Sequence, residues 1–292
     1  MNCLETNHNV GQYAGYKTRV LAAYFFEILT EKDTEKLSEI FAFSREKNLE
    51  ILWISGGTNI LFAKDFFPGI VIKNSLKGWN FDEQAKKLSI FSGEKISDIA
   101  EVLEKKFGEP IWHRFIGLPG TIAGAVVGNA GCFGLEAENN FFSAKILDIS
   151  TGETKILQKS DMNFWYRHSI LKENPNYFLI SAEFDLSEIR EKYASDVDNI
   201  DFRENKQPKG NSCGSFFKNP GRDASAGSLI EQIGFKWKRH GGARWSDLHA
   251  NFLLSDGETC KPSDLIELIR LTQKTVFEKT GFELINEVRI IE

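Results

Sequence analysis

The chain has 292 residues, 41% of them hydrophobic and 26% charged, enough for a sizeable core and for two domains. A formal net charge of −5 argues against general affinity for nucleic acid or an anionic membrane. Any phosphate-bearing ligand must therefore be met by local groups.

In chain order, TEKLSEIFAFSREK (34–47) places Leu37, Ile40 and Phe41 on one helical face, with Asp33 or Thr34 available as cap. ILWIS (51–55) is a short apolar strand ending at Gly56-Gly57, and IVIKN (70–74) and KLSIFSG (87–93) read as further strands. KISDIAEVLEKKFG (95–108) is an amphipathic helix stopped by Gly108. AKILDIS and ETKILQK flank Thr151-Gly152 as a hairpin, and YFLISAEFDL (177–186) is another strand. From 187 to 212 the chain turns polar and charged, as a surface helix and a crossing between domains would. SAGSLIEQIGF forms a short helix closed at Gly234, and PSDLIELIRLTQKTVFEKTG (262–281) a longer one capped by Ser263 and stopped by Gly281. ELINEVRII closes the chain as a strand. The alternation of helices and strands is irregular, which favours an α+β fold over a doubly wound sheet.

The four cysteines, at 3, 132, 213 and 260, show neither C-x-x-C pairing nor metal-ligand spacing, so no metal is expected. MNCLETNHNVGQY lacks the basic start and apolar run of a secretory signal, and no stretch reaches the ~18 apolar residues of a membrane span. The expectation is a reduced, cytoplasmic protein with no structural disulfide.

Glycine clusters in two places. In ISGGTNILF (54–62) a strand runs into Ser55, Gly56, Gly57, Thr58 and Asn59, which can turn several backbone N–H groups toward one anion. A tight turn without ligand is the plainer alternative, since neither G-x-G-x-x-G nor a P-loop is present. In FIGLPGTIAGAVVGNAGCFG (115–134), Gly120, Gly124 and Gly128 recur every four residues along one face of a possible helix. Each glycine costs a helix about 1 kcal/mol relative to alanine, so the face needs a reason. Either another backbone or a flat ligand comes close to it.

NSCGSFFKNP (211–220) sets Cys213 and Ser215 two positions apart, but not in the G-x-S-x-G spacing of a nucleophile elbow. Taken with ISGGTN, GLPGTIAGAVVGNAGCFG, YRHSILK, AGSLIEQIGFK…GGARWSDLHANFLLS and ELINEVRII, it resembles the UDP-N-acetylenolpyruvoylglucosamine reductase (MurB) family. The resemblance covers roughly residues 50–292, in the same order, and is closest to the family's compact subtype.

The resemblance implies a two-part FAD-binding region of the vanillyl-alcohol-oxidase (PCMH) type, followed by an α/β substrate domain. The implied division is 1–75 for a first FAD subdomain, with the strand 284–292 returning to it, then 76–200 for a second and 201–283 for substrate. FAD would be held noncovalently by Ser55, Gly56, Gly57, Thr58 and Asn59 and by Pro119, Gly120, Thr121, Gly124, Ala125, Asn129 and Gly131. NADPH would be the hydride donor and an enolpyruvyl UDP-sugar the substrate, in a monomer with no nucleic-acid or membrane partner.

By the same resemblance Arg167 binds the enolpyruvyl carboxylate, Ser215 donates the proton and Glu287 helps polarise the carboxylate. Asn219 and Lys206 are matched to substrate-binding positions. Cys213 reads as a small packed side chain and His249 as structural. The alternatives are another FAD-dependent oxidoreductase of the same flavin fold, or a flavin-binding protein without turnover.

Overall fold

The computed structural model describes residues 3–188, 199–221 and 224–292. Its strands and helices, in chain order, begin with β1 (Glu5–Asn9), β2 (Leu21–Ile28), α1 (Leu37–Lys47), β3 (Ile51–Ile54), β4 (Ile60–Phe62) and β5 (Phe66–Asn74). Then come β6 (Trp79–Asp82), β7 (Lys87–Phe91), α2 (Ile96–Phe107), α3 (Ile122–Val127), β8 (Gly131–Cys132), β9 (Leu135–Glu136), β10 (Phe141–Asp148) and β11 (Glu153–Gln158). The chain ends with α4 (Ile170–Glu173), β12 (Tyr177–Asp185), α5 (Asn199–Lys206), α6 (Ala226–Gln232), β13 (Arg239–His240), β14 (Ala243–Trp245), β15 (Leu253–Ser255), α7 (Pro262–Thr280) and β16 (Arg289–Ile291).

The chain divides into two compact units, one of Phe26–Gly56 and Ile72–Ile200, the other of Asn2–Phe25, Gly57–Val71 and Asp201–Glu292. β1 pairs antiparallel with β2, Glu5 opposite Phe25 and Asn9 opposite Leu21.

The first unit is built on an antiparallel sheet of order β11-β10-β12-β7-β6. Leu88, Ile90, Ala144, Ile146, Ala182 and Phe184 alternate toward one face, where they pack with α2, α3 and the buried Trp112 and Phe115. Helix α2 ends where Gly108 adopts φ 62°, a left-handed cap that L-side chains resist. At the β10–β11 hairpin Gly152 turns at φ 76°, and its N–H and that of Thr151 donate to the Asp148 carbonyl.

Asp148 is also the electrostatic clasp of that hairpin. Its carboxylate accepts from Lys155 Nζ at 2.6 Å and from Ser150, which together lower its pKa from 3.8 to about 2. A depressed carboxylate contributes stability fully above its unfolded pKa, and that contribution is lost as pH falls through the folded value. The melting-temperature gap between wild type and Asp148→Asn is therefore expected to be constant above about pH 4 and to close toward pH 2. A gap independent of pH would contradict the clasp.

The second unit gathers its core around Trp245, Phe216, Phe217, Leu253, Leu265, Leu268 and Ile269, between α6, α7 and the β13-β14-β15 sheet. Trp245 Nε1 donates to Thr272 Oγ1 at 2.8 Å, so the buried indole has a partner. Strand β16 pairs in parallel with β4, Arg289 opposite Ile60 and Ile291 opposite Phe62.

Four local expectations need correction. The cap of α7 is Lys261, not Ser263; Pro262 opens the helix and the Asp264 carboxylate accepts from the Lys261 N–H. Residues 31–36 form a 3-10 turn before α1, closed by Thr30 and the Asp33 carboxylate. The helix of the second glycine cluster spans only 122–127, leaving Gly120 outside it. The final strand covers 289–291 rather than the whole of ELINEVRII, so Glu287 precedes it and does not share a strand face with Arg289.

Candidate active site

In the first unit the two glycine segments meet. Strand β3 delivers Ser55, whose hydroxyl lies 2.6 Å from the hydroxyl of buried Thr121. A Cβ on Gly56 would stand 3.0 Å from the Gly120 Cα, so glycine here lets two backbones approach. Gly120, at φ 120°, follows exposed Pro119 and leads into Thr121, the N-cap of α3, which accepts from the Gly124 N–H. Ala125 is buried beneath the helix, whereas a Cβ on Gly124 would meet no protein atom within 4 Å. Close helix packing therefore does not explain Gly124.

Asn129 is fully buried, and its amide is spent on the protein: Nδ2 donates to the Trp165 carbonyl at 3.2 Å and Oδ1 accepts from Glu138 N–H at 3.0 Å. Gly131 sits in β8, where a Cβ would press within 2.7 Å of the Glu136 side chain. The Gly131 carbonyl accepts from Arg167 Nη2 at 3.3 Å. Arg167 has a left-handed backbone, φ 59°, on a tight turn in which Trp165 and His168 exchange backbone hydrogen bonds. That turn sets the guanidinium 5.3 Å from the Tyr166 ring centroid, half-buried and anchored to the glycine segment.

The second unit holds the rest of the first cluster and the other reactive groups. Gly57 turns at φ 62°, and a Cβ there would fall 1.8 Å from the Tyr13 carbonyl oxygen. Its own carbonyl accepts from the Gly15 N–H at 2.9 Å. Thr58 is half-buried; Asn59 is exposed and donates to the Glu287 carbonyl at 3.3 Å, while its carbonyl accepts from Arg289 N–H.

Ser215 follows Gly214, whose φ of 79° makes the turn, and is half-buried. Phe216 N–H donates to Asn251 O at 2.8 Å, and the Asn251 amide pairs with both the N–H and the carbonyl of Phe217. On the other side Glu287 N–H donates to the Phe216 carbonyl at 2.8 Å. Ser215 and Glu287, 72 positions apart in sequence, thus lie on hydrogen-bonded neighbouring segments. Asn219 Oδ1 accepts from Ala226 N–H at 3.1 Å and fixes the start of α6, and Lys206 is exposed at the end of α5.

Cys213 is buried, donates to the Ile60 carbonyl at 3.4 Å, and has its thiol pushed up to about 12 by burial. A thiol in that state is neither nucleophile nor acid near neutral pH. The Tyr16 side chain is fully buried beside it, its pKa raised first by burial and then by Cys213. His249 is held down by partial burial, and its Nδ1 accepts from Asn251 N–H, consistent with a structural role. Among the described residues no His/Cys/Asp/Glu group is arranged to hold a metal ion.

Residues 28–158 match the family model of an FAD binding domain, and residues 206–291 match that of the UDP-N-acetylenolpyruvoylglucosamine reductase C-terminal domain. A UDP-N-acetylenolpyruvoylglucosamine reductase from Chloroflexus aggregans is 31% identical over 297 residues, covering 99% of this chain and 97% of its own. The chain belongs to the UDP-N-acetylenolpyruvoylglucosamine reductase family. The relative from Protochlamydia amoebophila is 34% identical over 271 residues, 92% of this chain and 88% of that one. The crystal structure of UDP-N-acetylenolpyruvylglucosamine reductase (MurB) from Thermus caldophilus aligns over 99% of both chains with a TM-score of 0.75 at 22% identity, which shows the shared fold. The α+β fold with a two-part FAD-binding region is thereby established for this member of the family.

A substitution at Gly124 tests whether its open face takes a ligand. Gly124→Ala is expected to stabilise the apoprotein by about 0.5–1 kcal/mol, through helix propensity alone. The same variant is expected to release FAD more readily in a dilution assay. Raised apoprotein stability with unchanged FAD retention would show that nothing lies against this face.

Sequence reasoning missed the tight packing around Gly57, because nothing in NHNVGQYAGY announces that the Tyr13 carbonyl will touch it. It also missed Trp165, whose 58% exposure is a property of the turn and not of the residue.

Proposed function

We infer that the chain is an FAD-dependent, NADPH-using reductase. It acts on the enolpyruvyl group of UDP-N-acetylglucosamine enolpyruvate and yields UDP-N-acetylmuramate for peptidoglycan synthesis. FAD, held noncovalently, would supply the hydride chemistry that links NADPH to the methylene carbon of the substrate. The pairing of the two matched regions in one chain carries this reading, and the C-terminal match weighs against a different oxidoreductase on the same flavin fold.

The residues of this chain then have distinct tasks. Ser55, Gly56, Gly57, Thr58 and Asn59 would meet the FAD diphosphate through backbone N–H and hydroxyl groups. Pro119, Gly120, Thr121, Gly124, Ala125, Asn129 and Gly131 would line the flavin. Arg167 would bind the enolpyruvyl carboxylate, because a planar, permanently charged fork matches it and steadies negative charge as it grows.

Ser215 would supply the proton to the carbon beside the one reduced. A hydroxyl is a weak acid, so it serves only when held close to a strongly basic carbon. The left-handed Gly214 turn and the Asn251 clamp on Phe217 support that aim. Glu287 would act on the substrate carboxylate, supported by its hydrogen-bonded position beside Phe216. Asn219 and Lys206 would contact substrate, and the three-part division at 75, 200 and 283 would separate two FAD subdomains from a substrate domain.

The same reading takes the protein as a cytoplasmic monomer. Among the described residues no helix is long and apolar enough to cross a membrane, and none of the four cysteines is in a disulfide. Purified protein should be yellow, release FAD on denaturation, and under anaerobic conditions oxidise more than one equivalent of NADPH only when the enolpyruvyl sugar nucleotide is present. The product should be two hydrogens heavier than the substrate. Colourless protein that gains no colour with added FAD would contradict the reading.

A further inference from the structure

The turn that carries Arg167 also carries two aromatic rings that the roles above leave unused. Trp165 is 58% exposed and Tyr166 68%. Single exposed apolar residues are ordinary, but this indole is carried on a hydrogen-bonded turn. Its ring lies tilted by 33° against the His168 ring at 4.7 Å between centroids, and its backbone N–H and carbonyl pair with those of His168. The buried His168 has Glu173 Oε1 3.0 Å from Nε2, an ion-pair distance without the alignment of a hydrogen bond.

Residues of the glycine segment secure the turn from beneath. Asn129 Nδ2 donates to the Trp165 carbonyl, Arg167 Nη2 donates to the Gly131 carbonyl, and Ser169 Oγ donates to the Val127 carbonyl at 2.8 Å. The turn therefore carries the largely exposed indole two positions from the arginine assigned to the reacting end of the substrate.

We propose that Trp165 is a stacking platform for the nicotinamide ring of NADPH. Chemistry selects among the flat rings that visit this enzyme. The uracil of the sugar nucleotide is separated from the enolpyruvyl group by the whole hexose and the diphosphate. The nicotinamide is itself the reacting end of its molecule. A ring platform beside Arg167 therefore fits nicotinamide and not uracil. Trp165 is a specificity-determining residue for the reductant, and the assignment rests on the NADPH reading above.

Equilibrium binding of NADP+ and of UDP to the FAD-loaded protein tests this without turnover. Trp165→Ala is expected to raise the NADP+ dissociation constant by about 5- to 150-fold, the range for losing one base–aromatic stack. Trp165→Phe should recover most of the affinity, and UDP binding should change less than twofold in both. Because Trp165 is largely exposed, the variants are expected to keep wild-type melting temperatures and flavin spectra. NADP+ affinity within twofold of wild type in Trp165→Ala would overturn the proposal, as would a loss confined to UDP or equal for both ligands. Wild-type protein whose flavin NADPH leaves oxidised would instead contradict the NADPH reading itself.

Discussion

Ser215→Ala is expected to bleach with NADPH as the wild type does. Its flavin absorbance should then return about 10²–10⁴-fold more slowly once the enolpyruvyl sugar nucleotide is added. The split follows from the task. Hydride transfer from NADPH to the flavin needs no proton from this hydroxyl, whereas quenching the carbanion formed on the substrate does. The Ser215 backbone is held by neighbours that the substitution leaves in place: Phe216 on Asn251 and on Glu287, and the Gly214 turn. Alanine therefore removes the oxygen without moving the loop. Glu287→Gln, on the adjoining segment, is expected to slow recovery by about 10²–10³-fold with bleaching again intact. Rapid-mixing absorbance under anaerobic conditions reads both steps. Wild-type recovery in Ser215→Ala would remove the hydroxyl from the mechanism.

Gly57→Ala is expected to be the most damaging glycine substitution in the chain. A methyl group there must take a left-handed backbone, costing about 1–3 kcal/mol. It would also fall 1.8 Å from the Tyr13 carbonyl oxygen, so the segment has to shift, at a further cost of about 1–3 kcal/mol. For a chain of this size a fall in Tm of roughly 3–10 °C should result. Gly108→Ala is the control. Its φ is also 62°, but no atom lies within 4 Å of the added methyl, so only the backbone part is expected. Equal melting temperatures for the two variants would contradict the steric account. Gly57 also belongs to the segment assigned to the FAD diphosphate, so retained FAD in a folded Gly57→Ala would argue against that assignment.

The periodic elements were legible in the sequence because their apolar spacing and stop signals agree. Helix α2 ends at Gly108 and α7 ends before Gly281, at φ 62° and 75°. The Thr151-Gly152 hairpin forms between β10 and β11. Strand β1 was not legible, since ETNHN carries no apolar alternation. It forms by antiparallel pairing with β2, Glu5 opposite Phe25 and Asn9 opposite Leu21, and the His8 ring stacks on Phe25 at 4.0 Å. The C-terminal segment misled for the opposite reason. ELINEVRII has the composition of a strand, yet the Ile285 carbonyl and the Glu287 and Val288 N–H groups are spent on Lys218 and Phe216. Only Arg289–Ile291 remains for pairing with β4. That diversion brings Glu287 beside the Ser215 loop, a proximity that sequence spacing alone could not express.

The glycine clusters were legible as a need and not as a geometry. Three glycines at intervals of four asked for a close neighbour, and the structure answers differently at each position. Gly120 faces the backbone of Gly56, and Gly124 faces open space. The buried Tyr16–Cys213 pair had no sequence signal, because it depends on burial from several segments at once.

The most direct test of the central claim is an anaerobic titration of the FAD-loaded wild-type protein, followed at the flavin absorbance. NADPH should bleach the flavin stoichiometrically, and one equivalent of UDP-N-acetylglucosamine enolpyruvate should restore it. Bleaching without restoration by that substrate would contradict the assignment of this chain as its reductase.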